Sequence, residues 1–281
     1  GFSDLVATSA GTIPSIVYLN RGNGTFQDAW ESVPGGKTVA ADVNSDGMTD
    51  LITYDNGSIS INQNTLPNGH IYKANFGGDH VVASNGNDVL SGNNGSDSLD
   101  GGAGIDTALY STSTSNYTIT KLVTNGVLTY SVIDKTGTSG KDTLTNVERL
   151  QFSDKKLAMD LDGNAGQVVK ILGAVFGSSS VANSAYIGIG LKYLDAGMNY
   201  ADLMQLAINA RLGERFTNTD VVNLLYTNVV GSAPSAKSLG FYKELLNNGT
   251  YTQGTLGVLA ADTTINTTNI NLIGLTQTGV E

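Results

Sequence analysis

The chain has 281 residues, a formal net charge of −10, 35 glycines, 4 prolines and no cysteine. That length admits more than one domain with a buried core. The acidity argues against nucleic acid or an anionic membrane as partner, and no disulfide can staple the fold.

No apolar run reaches the roughly 18 residues that a membrane-spanning helix needs. The N-terminus, GFSDLVATSAGTIPS, lacks the basic start and apolar stretch of a signal peptide. Residues 1–73 alternate short β-like runs, Ile16-Val17-Tyr18-Leu19 and Leu51-Ile52-Thr53-Tyr54, with turns of Gly, Asn and Asp. Asp4-Leu5-Val6 recurs as Asp50-Leu51-Ile52, 46 residues later. A period of that size is typical of a propeller blade or a similar β-repeat. The first copy lacks its preceding loop and no initiator methionine opens the chain, so more sequence is expected before Gly1.

The loop ahead of the second copy places oxygen-bearing side chains at positions 1, 3, 5 and 9, namely Asp42, Asn44, Asp46 and Asp50. Gly47 supplies the sharp turn and the Met48 carbonyl is expected to face inward. This spacing wraps a chain around Ca²⁺, a hard cation that takes about six to eight oxygens. It is not an EF-hand, because position 12 is Thr53 and a strand-like LITY follows. The plainer alternative is an Asx-rich turn without metal. The D-x-[DN]-x-D-G-x-x-D loop, with VYLNRGNGTFQ upstream, resembles the FG-GAP/VCBS-type repeats of β-propellers. The resemblance implies a blade-like antiparallel β segment over residues 1–73.

From Ala74 the sequence repeats every nine residues. Asp79, Asp88, Asp97 and Asp106 keep that step, as do Gly77, Gly86, Gly95 and Gly104 and the apolar Val81, Leu90, Leu99 and Ala108. Glycine permits the positive φ of a tight turn, and the apolar residue points inward from a very short strand. Two nonapeptides make one coil, so equivalent turns stack 18 residues apart: Asp79 with Asp97, Asp88 with Asp106. Two unit charges about 4 Å apart repel by roughly 1 kcal/mol in water and about 4 at an effective dielectric near 20. Ca²⁺ between the turns relieves this, with aspartates and turn carbonyls as ligands. Four small apolar residues bury little area, so metal binding and folding should be one event. A flexible linker has no reason to hold such register. The full G-G-x-G-x-D form at Gly101–Asp106 resembles the calcium-binding β-roll repeat of RTX (hemolysin-type) proteins.

Strand-like runs follow: YTITKLV, VLTYSVID and VERLQFS. From residue 164 the period becomes helical. Val168, Ile171, Leu172, Val175 and Phe176 share one face; so do Leu203, Leu206, Ala207 and Ala210, and again Val221, Val222, Leu225 and Val229. A cap is expected at Asn218–Asp220, Pro234 in the first turn of the next helix, and Asn247-Asn248-Gly249 at its end. The segment GVLTYSVIDKTGTSGKDTLTNVERLQFSDKKLAMDL resembles the strand-rich cap that follows RTX repeats in proteins exported by type I secretion. From NAGQVVKILGAVFG on, with TNTDVVNLLYTNVVG and INLIGLTQTGVE, the chain is similar to the helical DUF4214 family. It departs from that family where Ala233-Pro234-Ser235 replaces the usual aspartate-glycine pair.

These resemblances imply a route. A type I secretion apparatus of a Gram-negative bacterium reads an uncleaved C-terminal signal, the chain crosses unfolded, and it folds outside where calcium is roughly 10⁻⁴ to 10⁻³ M. Catalytic motifs are missing: there is no H-E-x-x-H and no G-x-S-x-G. Of the two histidines, His80 occupies an exposed repeat position. Thr138-Ser139-Gly140-Lys141-Asp142 faintly echoes a phosphate loop but reads as a polar turn, and Asp154, Asp160 and Asp162 read as a solvated loop rather than a further calcium site.

The expected fold is therefore multidomain, β then α. A blade-like segment (1–73) precedes a calcium-bound parallel β-roll with β cap (74–163) and an all-α domain (164–281). The expected function is non-catalytic: a secreted calcium-binding surface or extracellular structural protein, such as an adhesin or an S-layer or filament subunit. Self-assembly or a cell-surface ligand would supply its partner. The alternative is the C-terminal export and folding module of a larger RTX enzyme or toxin.

Overall fold

A computed structural model describes six backbone strands within residues 1–70, then residues 71–74, 77–83, 85–124 and 126–281. The chain divides into two compact units, Gly1–Lys156 and Leu157–Glu281.

In the first unit, β1 (Leu5–Ala7), β2 (Ile16–Asn20) and β3 (Phe26–Glu31) form an antiparallel sheet. A second antiparallel set follows: β4 (Lys37–Ala41), β5 (Asp50–Asp55) and β6 (Ser58–Asn62). Leu5 and Val6 of the first DLV/DLI copy lie in β1, and Asp50, Leu51 and Ile52 of the second open β5.

The nonapeptides then coil. Strands β7 (Ile71–Lys73), β8 (His80–Val82), β9 (Val89–Ser91), β10 (Ser98–Asp100) and β11 (Thr107–Leu109) are three residues each. They alternate between two parallel ladders. Val81 faces Leu99 in one, and Tyr72 faces Leu90, which faces Ala108, in the other. Each pairing spans 18 residues, the coil length that two nonapeptides give. Strand β6 pairs in parallel with β8, so the first ladder begins before the repeats.

After the repeats comes the hairpin β12 (Tyr117–Thr124) and β13 (Val127–Asp134). The chain then returns to the roll. Strand β14 (Lys141–Thr145) adds to the first ladder beside β10, and β15 (Arg149–Gln151) adds to the second beside β11. The inward residues form a single file on each side: Val81, Leu99 and Leu144 against Tyr72, Leu90, Ala108 and Leu150, all essentially inaccessible to solvent. Tyr110, Tyr117 and Phe152 pack as an aromatic cluster, with Tyr110 stacked on Phe152 at 5.1 Å.

A short strand, β16 (Lys156–Ala158), leads into the helical unit. There α1 (Asn164–Phe176) is central, packed by α2 (Ser184–Asp195), α3 (Tyr200–Leu212), α4 (Asn218–Val230), α6 (Gln253–Ala261) and α7 (Thr264–Asn269). Helix α5 (Ala236–Asn247) lies on α4, and α8 (Leu272–Thr278) packs on α7. The apolar faces expected on α1 and α4 are the buried ones, except that Phe176 at the end of α1 is only half-buried. The carboxamide of Asn228 donates to the Ala174 and Val175 carbonyls at 3.0 and 2.8 Å, satisfying acceptors that the end of α1 leaves without helical partners. The C-terminus is tied back by reciprocal hydrogen bonds between Ala158 and Val280.

Three local expectations are corrected. On α3 the buried residues are Leu203, Met204 and Ile208, while Leu206 and Ala210 are exposed. The cause is close approach of α6. A Cβ on Gly257 would meet Met204 Cγ at 2.5 Å, and one on Gly254 the Ala201 carbonyl at 2.5 Å, so the seam runs through Met204. The cap of α4 is Thr217, one residue earlier than expected, in a capping box with Asp220. Pro234 precedes the Ser235 cap of α5 instead of lying in its first turn.

These two α3 positions give a direct check. Ile208→Ala should cost about 2–5 kcal/mol by opening a cavity. Leu206→Ala, 39% exposed, should cost under about 1. Urea denaturation followed by helical circular dichroism measures both, and equal losses would contradict the α3–α6 seam.

Candidate metal centre

Each repeat turn is entered through a glycine in a region that side chains avoid: Gly77 at φ +141°, Gly86 at +126°, Gly95 at +135° and Gly104 at +146°. Space gives a second reason. A Cβ on Gly95 would meet the Gly77 carbonyl oxygen at 1.7 Å, and one on Gly104 the Gly86 carbonyl oxygen at 1.9 Å. The turns therefore stack backbone on backbone, with one carbonyl of each set against the next.

That stacking aligns the aspartates. Asp79 N–H donates to Asp97 Oδ1 at 2.8 Å, and Asp88 N–H donates to Asp106 Oδ1 at 2.7 Å. The pairing expected from the nine-residue step is thus present on both sides of the roll. All four carboxylates are buried, at 4% exposure or less. The second oxygens, Asp97 Oδ2 and Asp106 Oδ2, are buried with no hydrogen-bond partner. Burial pushes the Asp97 carboxyl up to about 6 and Asp106 up to about 7, the latter helped by the carboxylates of Glu148, Asp88 and Asp100. A buried carboxylate oxygen without a donor is costly unless a cation meets it. These orphaned oxygens and the adjacent turn carbonyls fit a hard divalent ion. Among the described residues no three His, Cys, Asp or Glu side chains converge on one point, so backbone oxygens must complete any such site.

Two further carboxylates occupy the same stack positions. Asp142 Oδ1 accepts from Asp97 N–H at 3.0 Å, and Glu148 Oε2 accepts from Asp106 N–H at 2.8 Å. Gly140, at φ +71°, sits over Gly95, whose carbonyl a Cβ would meet at 2.1 Å. Burial pushes the Asp142 carboxyl up to about 7, and the Tyr110 hydroxyl buried beside it rises well above its ordinary value. Sequence reasoning missed both residues. The signal was there: Gly140-Lys141-Asp142-Thr143-Leu144 repeats G-x-D-x-U, and Asn146-Val147-Glu148-Arg149-Leu150 repeats it with Asn for Gly and Glu for Asp. The turn before Gly140 is polar, as expected, with Thr138 and Ser139 N–H donating to Asp134.

Of the other candidates, Asp42, Asn44, Asp46 and Met48 lie outside the described residues, and Asp50 is placed only as the backbone start of β5, opposite Ala41. Asp154 accepts from Ser113 and Thr114 in a turn 40 residues upstream, and Asp160 accepts from the Ala165 N–H at the start of α1. His80 is exposed.

The fold and the stacked acidic turns define a parallel β-roll built from glycine–aspartate repeats. Residues 74–108 match the RTX calcium-binding nonapeptide repeat in 4 copies. The repeats are calcium-binding, and proteins that carry them are typically exported by type I secretion. The match does not extend to the segments resembling FG-GAP/VCBS or DUF4214. No curated protein matches the chain. Among solved structures, the extracellular lipase LipA from Serratia marcescens matches at 16% identity over 41% of this chain and 18% of that one, with a TM-score of 0.28. A likeness that low carries no argument about activity. No helix among the described residues is long and apolar enough to cross a membrane.

Replacing Gly95 by Ala adds roughly 1–3 kcal/mol of backbone strain and also a collision with the Gly77 carbonyl. The calcium midpoint for roll formation should rise at least about tenfold. Gly137→Ala, at φ +81° in open space, bears the strain alone and lies outside the stack. Its midpoint should move far less, and equal shifts would refute the stacking argument.

Acidity gives a second check. Carboxyls raised by folding favour the protonated folded state, so the calcium-free roll should lose stability as pH rises from about 4 to about 7, the range between the ordinary and raised values. Calcium needs the ionised form, so its affinity should rise over the same interval. Denaturation with and without calcium at several pH values tests for these opposite slopes.

Proposed function

We propose that this chain is a secreted, calcium-loaded structural protein of the cell surface or extracellular space, an adhesin or a subunit of an S-layer or filament. It folds when calcium binds after type I export from a Gram-negative bacterium. The observation that carries this reading is the pair of buried, unpartnered aspartate oxygens in a glycine-stacked roll. In low calcium, charge repulsion holds such a roll open, which suits passage through an exporter. In high calcium the same charges bind the ion and close it. The proposed ligands are the carboxylates of Asp79, Asp88, Asp97 and Asp106, with turn carbonyls around Gly77, Gly86, Gly95 and Gly104. The loop Asp42–Asp50 is a second proposed calcium site, on its spacing alone. We assign no catalytic role to these residues, since neither a protease nor a lipase motif occurs in the sequence. The blade-like strands and the DUF4214-like helices would make contacts with a surface ligand or with further copies.

Light scattering and circular dichroism, followed together as calcium is raised to a few millimolar and then chelated, test this. The expected result is strand signal with large particles that chelator dissolves. Strand signal with a strict monomer would overturn assembly and favour an export and folding module. No calcium response would overturn the metal reading itself.

A further inference from the structure

Beyond the four matched repeats, the turn Asn146–Glu148 lies on the Asp106 turn as one repeat lies on the next. Asp106 N–H donates to Glu148 Oε2 at 2.8 Å, and the Asp106 carbonyl accepts from Glu148 and Arg149 N–H at 3.2 and 2.9 Å. Asn146 stands where a repeat has glycine, in the left-handed region at φ +50°, a conformation asparagine tolerates better than most residues. Its carboxamide donates to Asp100 Oδ1 at 2.8 Å, which fixes the turn. The Asn146 carbonyl is thereby set beside Gly101, where a Cβ would meet it at 2.0 Å and would meet Asp106 Oδ2 at 2.6 Å. A fully buried carboxylate oxygen without a donor and a turn carbonyl therefore converge on one small space that any side chain would fill. Glu148 stacks on the same turn.

We propose that this turn closes a further calcium site, with Asp106 of the last nonapeptide as one ligand and Glu148 and the Asn146 carbonyl, both outside the nonapeptides, as the others. The proposal rests on the calcium reading of the repeats. It makes the return of the chain after the β12–β13 hairpin part of the metal ladder and not only an apolar lid. Calcium would then fasten residues 146–148 to the end of the roll.

Calcium counting by native mass spectrometry on the intact chain and on Glu148→Gln tests it. Gln keeps an oxygen for the Asp106 N–H and removes the charge. The variant should retain calcium-induced strand signal and hold one ion fewer. The same number at unchanged affinity would overturn the closing site while leaving the repeats as calcium binders. An unmodified chain that holds no calcium would overturn both readings. The unmodified protein gives an independent check if the variant does not fold. The chain has five glutamates, so ¹³Cδ-glutamate labelling resolves Glu148. Its carboxylate resonance should shift on calcium saturation, and an unmoved resonance would overturn the proposal.

Discussion

Buried carboxylates in register dominate this chain. Two columns of turns run along the roll, and each places acidic groups above one another where water hardly reaches. Backbone N–H groups neutralise one oxygen of Asp97 and Asp106 but leave the other without a donor. Nothing apolar in the roll can offset that cost, because its core is a single file of side chains on each face, one of them only an alanine. A cation between the turns is the economical physical remedy. It would convert a repulsion into an attraction, so that folding of the roll and calcium binding become one event.

The rest of the first unit conforms to that requirement. Turns stack close enough to share an ion only if their glycines let carbonyl meet Cα, and Gly95, Gly104 and Gly140 show this contact. Strands of three residues are too short to be stable singly, so they depend on ladders that extend past the repeats. Strand β6 continues one ladder upstream, and β14 and β15 continue both downstream. The aromatic cluster of Tyr110, Tyr117 and Phe152 adds apolar area near Asp142, where the file would otherwise thin out.

Legibility from sequence followed periodicity. The nine-residue step alone gave the coil, its 18-residue register and the aspartate pairs, because one physical unit repeats without interruption. Asp142 and Glu148 escaped notice because the β12–β13 hairpin interrupts the count and Asn146 and Glu148 substitute for glycine and aspartate. Spatially the series continues; in sequence it breaks. On α3 the apolar residues Leu203, Met204, Leu206, Ala207 and Ile208 admit two overlapping faces, and only the glycines of α6, distant in sequence, choose between them. The Thr217 cap needed the reciprocal bond to Asp220, which composition at a helix start does not distinguish from its neighbours.

The two units solve the problem of stability by different means, and this bears on how such a chain could be exported and then fold. The helical unit has a broad apolar core centred on α1, with caps, the half-buried Asn228 and the buried Asn266 satisfying its polar groups. It needs no ion. The roll has a core of one file of side chains on each face, and Asp97 and Asp106 each keep a buried oxygen without a donor. On the proposed reading, calcium concentration would act on the roll, where the buried carboxylates stack, and far less on the helical core. Entry into a calcium-rich medium would then drive ordering at the repeats, where Asp79 meets Asp97 and Asp88 meets Asp106. Closing the ladder at Glu148 would make ordering of the later strands depend on the same ion, which links formation of the repeats to capture of the chain that returns to cover them.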